Sequence, residues 1–232
     1  MGNKREVIKK GLGLAMVGAV TVAGTALAGI SSTKHNLSTS GGGTIVSSDQ
    51  PEICVFCHTP HDAIKNADIP LWNHDLSSEA SYGVYNSPTF DATDAADVGG
   101  VTATDAKVTN LCLSCHDGTV AINALNNASN INPTTTMTNV DGDGSLPSGS
   151  SNLGNDLTND HPVNFTYDTA LSNSDGSLTD PVDASGSGLT NAKLFSGKVQ
   201  CASCHDPHTS EQEAFLRASM DGSGLCMECH TK

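Results

Sequence analysis

The eight cysteines of the chain form four pairs, and two residues separate the members of each pair. A histidine follows every pair directly, which gives four Cys-x-x-Cys-His motifs. The motif residues are Cys54, Cys57 and His58; Cys112, Cys115 and His116; Cys201, Cys204 and His205; and Cys226, Cys229 and His230. Two thiols at this spacing can add to the two vinyl groups of one haem, and the adjacent imidazole can then bind the iron. The sequence therefore predicts four covalently attached haem c groups.

Three other uses of paired cysteines explain the pattern less well. A disulfide framework does not need a histidine after every second cysteine. Zinc ribbons use Cys-x-x-Cys pairs but leave the four adjacent histidines without a role. A thioredoxin-like redox motif occurs singly, beside a βαβ pattern that is missing here. Only haem attachment accounts for the cysteines and the histidines together.

Five further histidines lie outside the motifs and are candidates for the second axial ligand. They are His35, His61, His74, His161 and His208. An iron with two protein ligands mainly passes electrons, whereas an iron with an open position can transform a small molecule. Five histidines are enough to give all four irons a second imidazole with one to spare, so we predict that at least four are ligands. Ligation by methionine is the weaker alternative, with Met137, Met220 and Met227 available.

The positions of these histidines predict different partners. His61 and His208 each follow a motif histidine by three residues, in Cys-His-x-Pro-His. A residue so close to the proximal ligand is on the wrong side of the haem plane for its own iron, so each is predicted to serve a neighbouring haem. His35 is expected to fold back over the first haem, while His74 and His161 end short polar loops beside apolar groups.

The elements that hold these residues are expected to be short. The first and third motifs continue with x-Pro-His and the second and fourth are preceded by leucine, which suggests two duplicated di-haem units. The segment between the second and third motifs is rich in Ser, Thr, Asn, Gly and Asp and cannot build a core. Short helices are predicted after the motifs, for instance from Thr209 to Met220. The predicted fold is mostly irregular, with a few short α-helices wrapped around a chain of four haems.

The amino-acid composition agrees with such a fold and argues against one class of binding partner. Aromatic residues make up only 4% of the 232 residues, so haem is expected to supply much of the core. The formal charge is -14, from 25 acidic and 11 basic residues. This balance argues against nucleic-acid binding through a basic surface.

The N-terminus predicts export. A basic start is followed by an uncharged stretch that contains Ala26-Leu27-Ala28, the pattern of a signal-peptidase site. We predict a signal peptide over residues 1–28 and a tetrahaem domain over residues 29–232. An uncleaved membrane anchor is the alternative, because about 20 residues can span a bilayer. The expected location is extracellular or at the cell surface, or alternatively periplasmic.

Several segments together resemble a known family. The four motifs, Thr59-Pro60-His61, the Leu71-Trp72-Asn73-His74 segment, the Asp160-His161-Pro162 loop and the C-terminal motif are similar to the extracellular multihaem c-type cytochromes of metal-reducing bacteria, which polymerise into conductive filaments. The resemblance covers about half of the exported chain and excludes the Ser/Thr/Asn-rich middle. It implies two histidine ligands on every haem and one continuous row of haems.

The resemblance also implies a function and partners. The expected function is extracellular electron transfer, with copies of the same chain, other cytochromes or extracellular electron acceptors as partners. His61 is predicted to ligate the terminal haem of an adjacent copy, because its own iron is out of reach and a head-to-tail contact produces an open filament. The alternatives are a soluble periplasmic shuttle, a membrane-anchored quinol-oxidising cytochrome and a multihaem reductase.

The motif count can be checked by mass. The exported protein should exceed the mass of residues 29–232 by four haems, because every cysteine belongs to a motif. Replacing both Cys112 and Cys115 by alanine should remove one haem, as measured by intact-protein mass spectrometry. Three haems or fewer on the wild type, or titratable free thiols, would contradict the assignment.

Overall fold

The computed structural model describes residues 29–64, 71–100, 107–127, 133–182 and 188–231. The predicted signal peptide lies outside these residues. The described parts contain three short α-helices, six two-residue strands and several 3₁₀ turns joined by loops. A mostly irregular fold with a few short helices, as predicted from the sequence, is confirmed. None of the described helices is long and apolar enough to cross a membrane.

Two of the three helices carry motif cysteines. The α-helices are α1 (Val108–His116), α2 (Thr169–Asp175) and α3 (Cys201–Cys204). The 3₁₀ turns cover Cys54–Phe56, Glu213–Phe215, Asp221–Ser223 and Cys226–Glu228. The helix α2 begins after Asp168, whose carboxylate accepts a hydrogen bond from the Leu171 amide, and ends at Gly176 in the left-handed region. Every motif therefore contains helical structure, whereas the segments after the motifs contain at most short 3₁₀ turns or the separate helix α2.

The prediction of a helix from Thr209 to Met220 is wrong. Only one 3₁₀ turn, Glu213–Phe215, forms there, because Ala214 and Phe215 both have positive φ values of 53° and 62°. The segment instead returns along the third motif, where the Asp206 amide donates to the Phe215 carbonyl at 2.8 Å. In this segment, backbone hydrogen bonds to residues beside the third motif therefore form in place of the hydrogen bonds of a helix.

Six two-residue strands form three pairs that join distant parts of the chain. The strands are β1 (Val46–Ser47), β2 (Gly83–Val84), β3 (Met137–Thr138), β4 (Asp156–Leu157), β5 (Phe165–Thr166) and β6 (Lys198–Val199). β1 pairs with β3 and β5 with β6 in antiparallel fashion, while β2 and β4 are parallel. The Ser/Thr/Asn-rich middle segment is therefore fastened to both sides of the chain.

The apolar side chains of the described residues form three small clusters and not one contiguous core. One contains Tyr82, Val98, Leu113 and Leu157, and a second surrounds Leu111. The third is built on Phe165, Tyr167 and Val199. A domain of this length ordinarily has a single contiguous core. The clusters lie beside the motifs, with Leu111 and Leu113 supplied by α1 itself.

Gln200 is a buried polar link between two motif helices. It precedes α3, is only 2% exposed, and its amide oxygen accepts from the Thr109 hydroxyl at 2.6 Å and the Thr109 amide at 3.2 Å. Its side-chain nitrogen donates to Asn164 at 3.3 Å, just before β5. One side chain therefore fixes α1, α3 and β5 relative to each other.

Replacing Gln200 by alanine should destabilise the protein. The Thr109 groups would be left buried without an acceptor, at a cost of about 1–3 kcal/mol for each unsatisfied group. Chemical denaturation of the haem-loaded protein would measure the free energy of unfolding. The control is Asn155→Ala, an exposed amide bonded only to Glu79, which should change stability by less than about 0.5 kcal/mol. Equal effects of both variants would contradict the role of Gln200.

Candidate haem sites

Each motif outside α1 folds as one helical turn closed by the same hydrogen bond. The amide of the motif histidine donates to the carbonyl of the first cysteine, at 2.8 Å for His58, 3.1 Å for His205 and 2.9 Å for His230. The second motif occupies the C-terminal part of α1. Residues three apart in a helical turn share one face. Each turn therefore brings two thiols to one side, with an imidazole in the next position.

Three motif histidines stand opposite a histidine from elsewhere in the chain. The ring centroids are 6.1 Å apart for His35 and His116, 6.2 Å for His58 and His208, and 6.4 Å for His161 and His230. Two imidazoles bound on opposite sides of one metal ion have centroids about 6.3 Å apart, because a metal–nitrogen bond of about 2.0–2.1 Å adds to about 1.1 Å from nitrogen to centroid on each side. The three separations fit a bis-histidine iron.

In five of the nine histidines a backbone carbonyl lies near Nδ1 and can orient the ring. The Nδ1 atom faces a carbonyl oxygen at 2.7 Å for His116, 2.7 Å for His205 and 2.9 Å for His161. The same contact measures 2.8 Å for His74 and 3.4 Å for His35. A histidine that donates through one nitrogen presents the other as a lone pair, which is the usual arrangement of a metal-ligating imidazole.

His35 is placed differently from the sequence-based expectation. It was expected over the first motif but lies against His116 of the second. Its ring stacks on Phe215 at 4.3 Å, and its Nδ1 approaches the Pro207 carbonyl. These contacts attach the segment around His35 to residues that follow the third motif. His35 therefore lies at the second motif and not at the first. Burial, followed by the nearby His116, lowers the pKa of His35 to about 4, so its imidazole is neutral and able to ligate at pH 7.

Three histidines have no histidine ring opposite them among the described residues. His205 and His61 are exposed, whereas His74 is 1% exposed. Both ring nitrogens of His74 face backbone carbonyls, and Nε2 is also 3.6 Å from Cys115 Sγ. Burial lowers the pKa of His74. A neutral ring has only one N–H for two carbonyls, so ligation by His74 stays a prediction.

Thiols of successive motifs are neighbours. Those of Cys112 and Cys201 are hydrogen-bonded to each other, and that bond together with burial raises the pKa of Cys112. Burial, and then the nearby Cys115, raises the pKa of Cys57 to about 12. The thiol of Cys204 similarly interacts with both cysteines of the fourth motif. The second and third attachment sites are therefore in contact through Cys112 and Cys201, and electrostatic interactions link the first site to the second and the third to the fourth.

Comparison with known proteins identifies the motif pair at the C-terminus. Residues 193–232 match the family model described as a doubled CXXCH motif. The match includes the third and fourth motifs. No curated protein matches the chain. The paired motifs indicate a multihaem c-type cytochrome that binds haem covalently and takes part in electron transfer.

Two polar side chains near the third motif were not predicted from the sequence. Asp206 contacts the His208 ring at 3.3 Å and Arg217 Nη1 at 3.0 Å. Neither belongs to a motif, although Asp206 lies between two candidate ligands. The position of Asp206 within Cys-His-Asp-Pro-His was the only signal in the sequence. Arg217 is eleven residues further on and gave none.

The pairing of His161 with His230 can be tested spectroscopically. In His161→Ala one ferrous haem should become five-coordinate and bind one carbon monoxide per chain, whereas the wild-type His161 blocks that position. His161→Met is the control, because a thioether keeps the iron six-coordinate and raises its potential. Absorption spectra under carbon monoxide would distinguish them. Unchanged carbon monoxide binding in His161→Ala would show that His161 is not the ligand.

Proposed function

We propose that the protein transfers electrons outside the cytoplasm through four covalently bound haem c groups with two histidine ligands each. The observation that carries the proposal is the set of three histidine pairs, each joining a motif histidine to a non-motif histidine. Bound haem would supply one-electron redox chemistry. The protein contributes the thiols that attach it, the imidazoles that close both axial positions, and the carbonyls that orient those imidazoles.

The order of the attachment sites supports transfer along a row. Neighbouring thiols belong to motifs that are successive in sequence, as between Cys57 and Cys115 and between Cys112 and Cys201. Haems held by these cysteines would supply redox centres near one another. A row of this kind favours an electron carrier with an entry and an exit over a protein with one isolated redox centre.

One observation favours a second candidate function, reduction of a small molecule. His205 has no histidine ring opposite it among the described residues, and an iron with a free sixth position can bind substrate. The third motif is thus where a reductase would have its catalytic haem. All four motifs nevertheless end in histidine, and an exposed histidine from another copy would close the same position.

A duplicated arrangement supports closure by another copy. His35 precedes the first motif and faces the second, and His161 precedes the third motif and faces the fourth. The two halves of the chain therefore follow one rule. His208, which follows the third motif, faces His58 of the first motif in the preceding half. Thus the histidine after the leading motif of one half faces the leading motif of the half before it. By the same rule, His61 would face the leading motif of a second half, which is the third motif.

The motifs form two such halves, and we place the partner of His61 in a second copy. The receiving iron would be that of the third motif, whose His205 has no histidine ring opposite it in the described structure. The terminal motif, expected from the sequence to receive His61, already has His161 opposite His230. This contact joins different surfaces of two copies, and its repetition gives an open filament.

Hydrogen bonds fix the backbone of the loop around His61, whose side chain is exposed. The His61 carbonyl accepts hydrogen bonds from the Thr59 hydroxyl and from the Asn127 amide group, both at 2.8 Å. Asn126 in turn donates to the carbonyl of Asp62. The backbone is therefore fixed while the imidazole faces outwards. Together with the family resemblance and the predicted leader over residues 1–28, this supports an extracellular filament whose end contacts other cytochromes or electron acceptors.

Replacing His61 by alanine should abolish or shorten filaments without loss of haem. Electron microscopy would count filaments, and pyridine haemochrome spectra would count haems. Asp62→Asn, a neighbouring exposed change in the same loop, is the control and should assemble normally. Carbon monoxide should bind one additional iron in His61→Ala, because the third site would lose its second ligand.

The outcomes separate the two proposals. Normal filaments of His61→Ala would exclude His61 as the bridge. A wild type that is monomeric and binds one carbon monoxide would end the filament proposal and favour the reductase. Electron transfer itself would be contradicted only if the purified protein carried no redox-active haem.

A further inference from the structure

Asp206 lies between two histidines that face different haem sites. It follows His205, and its Oδ1 accepts a hydrogen bond from the His208 amide at 3.1 Å. The same oxygen is 3.3 Å from Nδ1 of the His208 ring. That ring stands 6.2 Å from His58, with an angle of only 10° between the ring planes. The carboxylate thus contacts the imidazole on the side away from any iron bound at Nε2.

The second oxygen of this carboxylate is fixed by the third motif. Arg217 Nη1 donates to Oδ2 at 3.0 Å, and Arg217 Nε donates to the Ala202 carbonyl at 2.9 Å. The Arg217 side chain is only 11% exposed. A part-buried, charge-assisted pair holds its geometry better than a solvated one. The carboxylate is therefore held with one oxygen directed at His208.

Five other histidines have a different kind of Nδ1 partner. The His208 ring has the carboxylate of Asp206 within ion-pair distance. Neutral backbone carbonyls contact Nδ1 of His35, His74, His116, His161 and His205. The residue equivalent to Asp206 in the first motif is Thr59, whose hydroxyl donates to the His61 carbonyl. Threonine carries no charge, so this position does not offer the His61 ring a carboxylate.

We propose that Asp206 is a positioning residue that lowers the reduction potential of the haem attached at Cys54 and Cys57. The proposal rests on the proposed function, in which His208 is the second ligand of that haem. A carboxylate that accepts Nδ1–H fixes the tautomer of the imidazole and increases its basicity. A more basic ligand stabilises ferric iron over ferrous iron and so lowers the potential.

The test is Asp206→Asn in the haem-loaded protein. The amide oxygen can still accept the hydrogen bond but carries no charge, so the iron should remain six-coordinate while one haem becomes easier to reduce. We expect the ferric preference of that haem to fall about tenfold, which is about 59 mV for a one-electron couple. Spectroelectrochemical titration would measure the four potentials. Asp143→Asn, the same change in an exposed turn, is the control and should move none of them.

A double variant separates an effect through His208 from a direct effect of charge. In a His208→Ala background the Asp206→Asn shift should disappear, because the imidazole that transmits it is missing. A shift that persists in that background, or an absence of shift in the single variant, would overturn the proposal. Carbon monoxide binding by His208→Ala reports separately whether His208 is a ligand. If that variant binds none, the ligand assignment itself fails.

Discussion

The structure depends on one local constraint, the turn that closes from the motif histidine amide to the carbonyl of the first cysteine. This turn brings two thiols and one imidazole together without help from the rest of the chain, so each motif is complete within five residues. An imidazole that faces the motif histidine has to come from another segment of the chain. The segments that carry His35, His161 and His208 each place an imidazole in such a position.

The histidine pairs bring together parts of the chain that are distant in sequence. His35 lies opposite His116 and His58 opposite His208, while the apolar side chains of the described residues form three small clusters. Buried polar links such as Gln200 with Thr109 fix the motif helices between these clusters. A covalently attached haem between each pair would occupy the space that aromatic and aliphatic side chains fill in other domains of this length.

The histidines that follow the first and third motifs occupy equivalent positions in the two halves of the chain but lie in different surroundings. Within the chain, the histidine that follows the third motif reaches back to the first. The equivalent histidine of the first motif, His61, is exposed and has no histidine ring opposite it among the described residues. The two equivalents also differ in the residue before the Pro-His pair, which is Asp206 beside His208 and Thr59 beside His61. The proposed filament and the proposed difference in potential both rest on these differences.

The sequence by itself determined the attachment chemistry and the sparse secondary structure, because both depend on residues within a few positions of each other. Neighbour spacing also showed that His208 could not serve its own motif. The sequence did not determine which motif each distant histidine faces, because a loop of tens of residues can bring a histidine to any of several motifs. Only the tertiary structure put His35 opposite His116 in place of His58, through the contacts of His35 with Phe215 and Pro207. It also showed why Thr209 to Met220 is not helical: backbone bonds to the third motif compete successfully with bonds inside a helix.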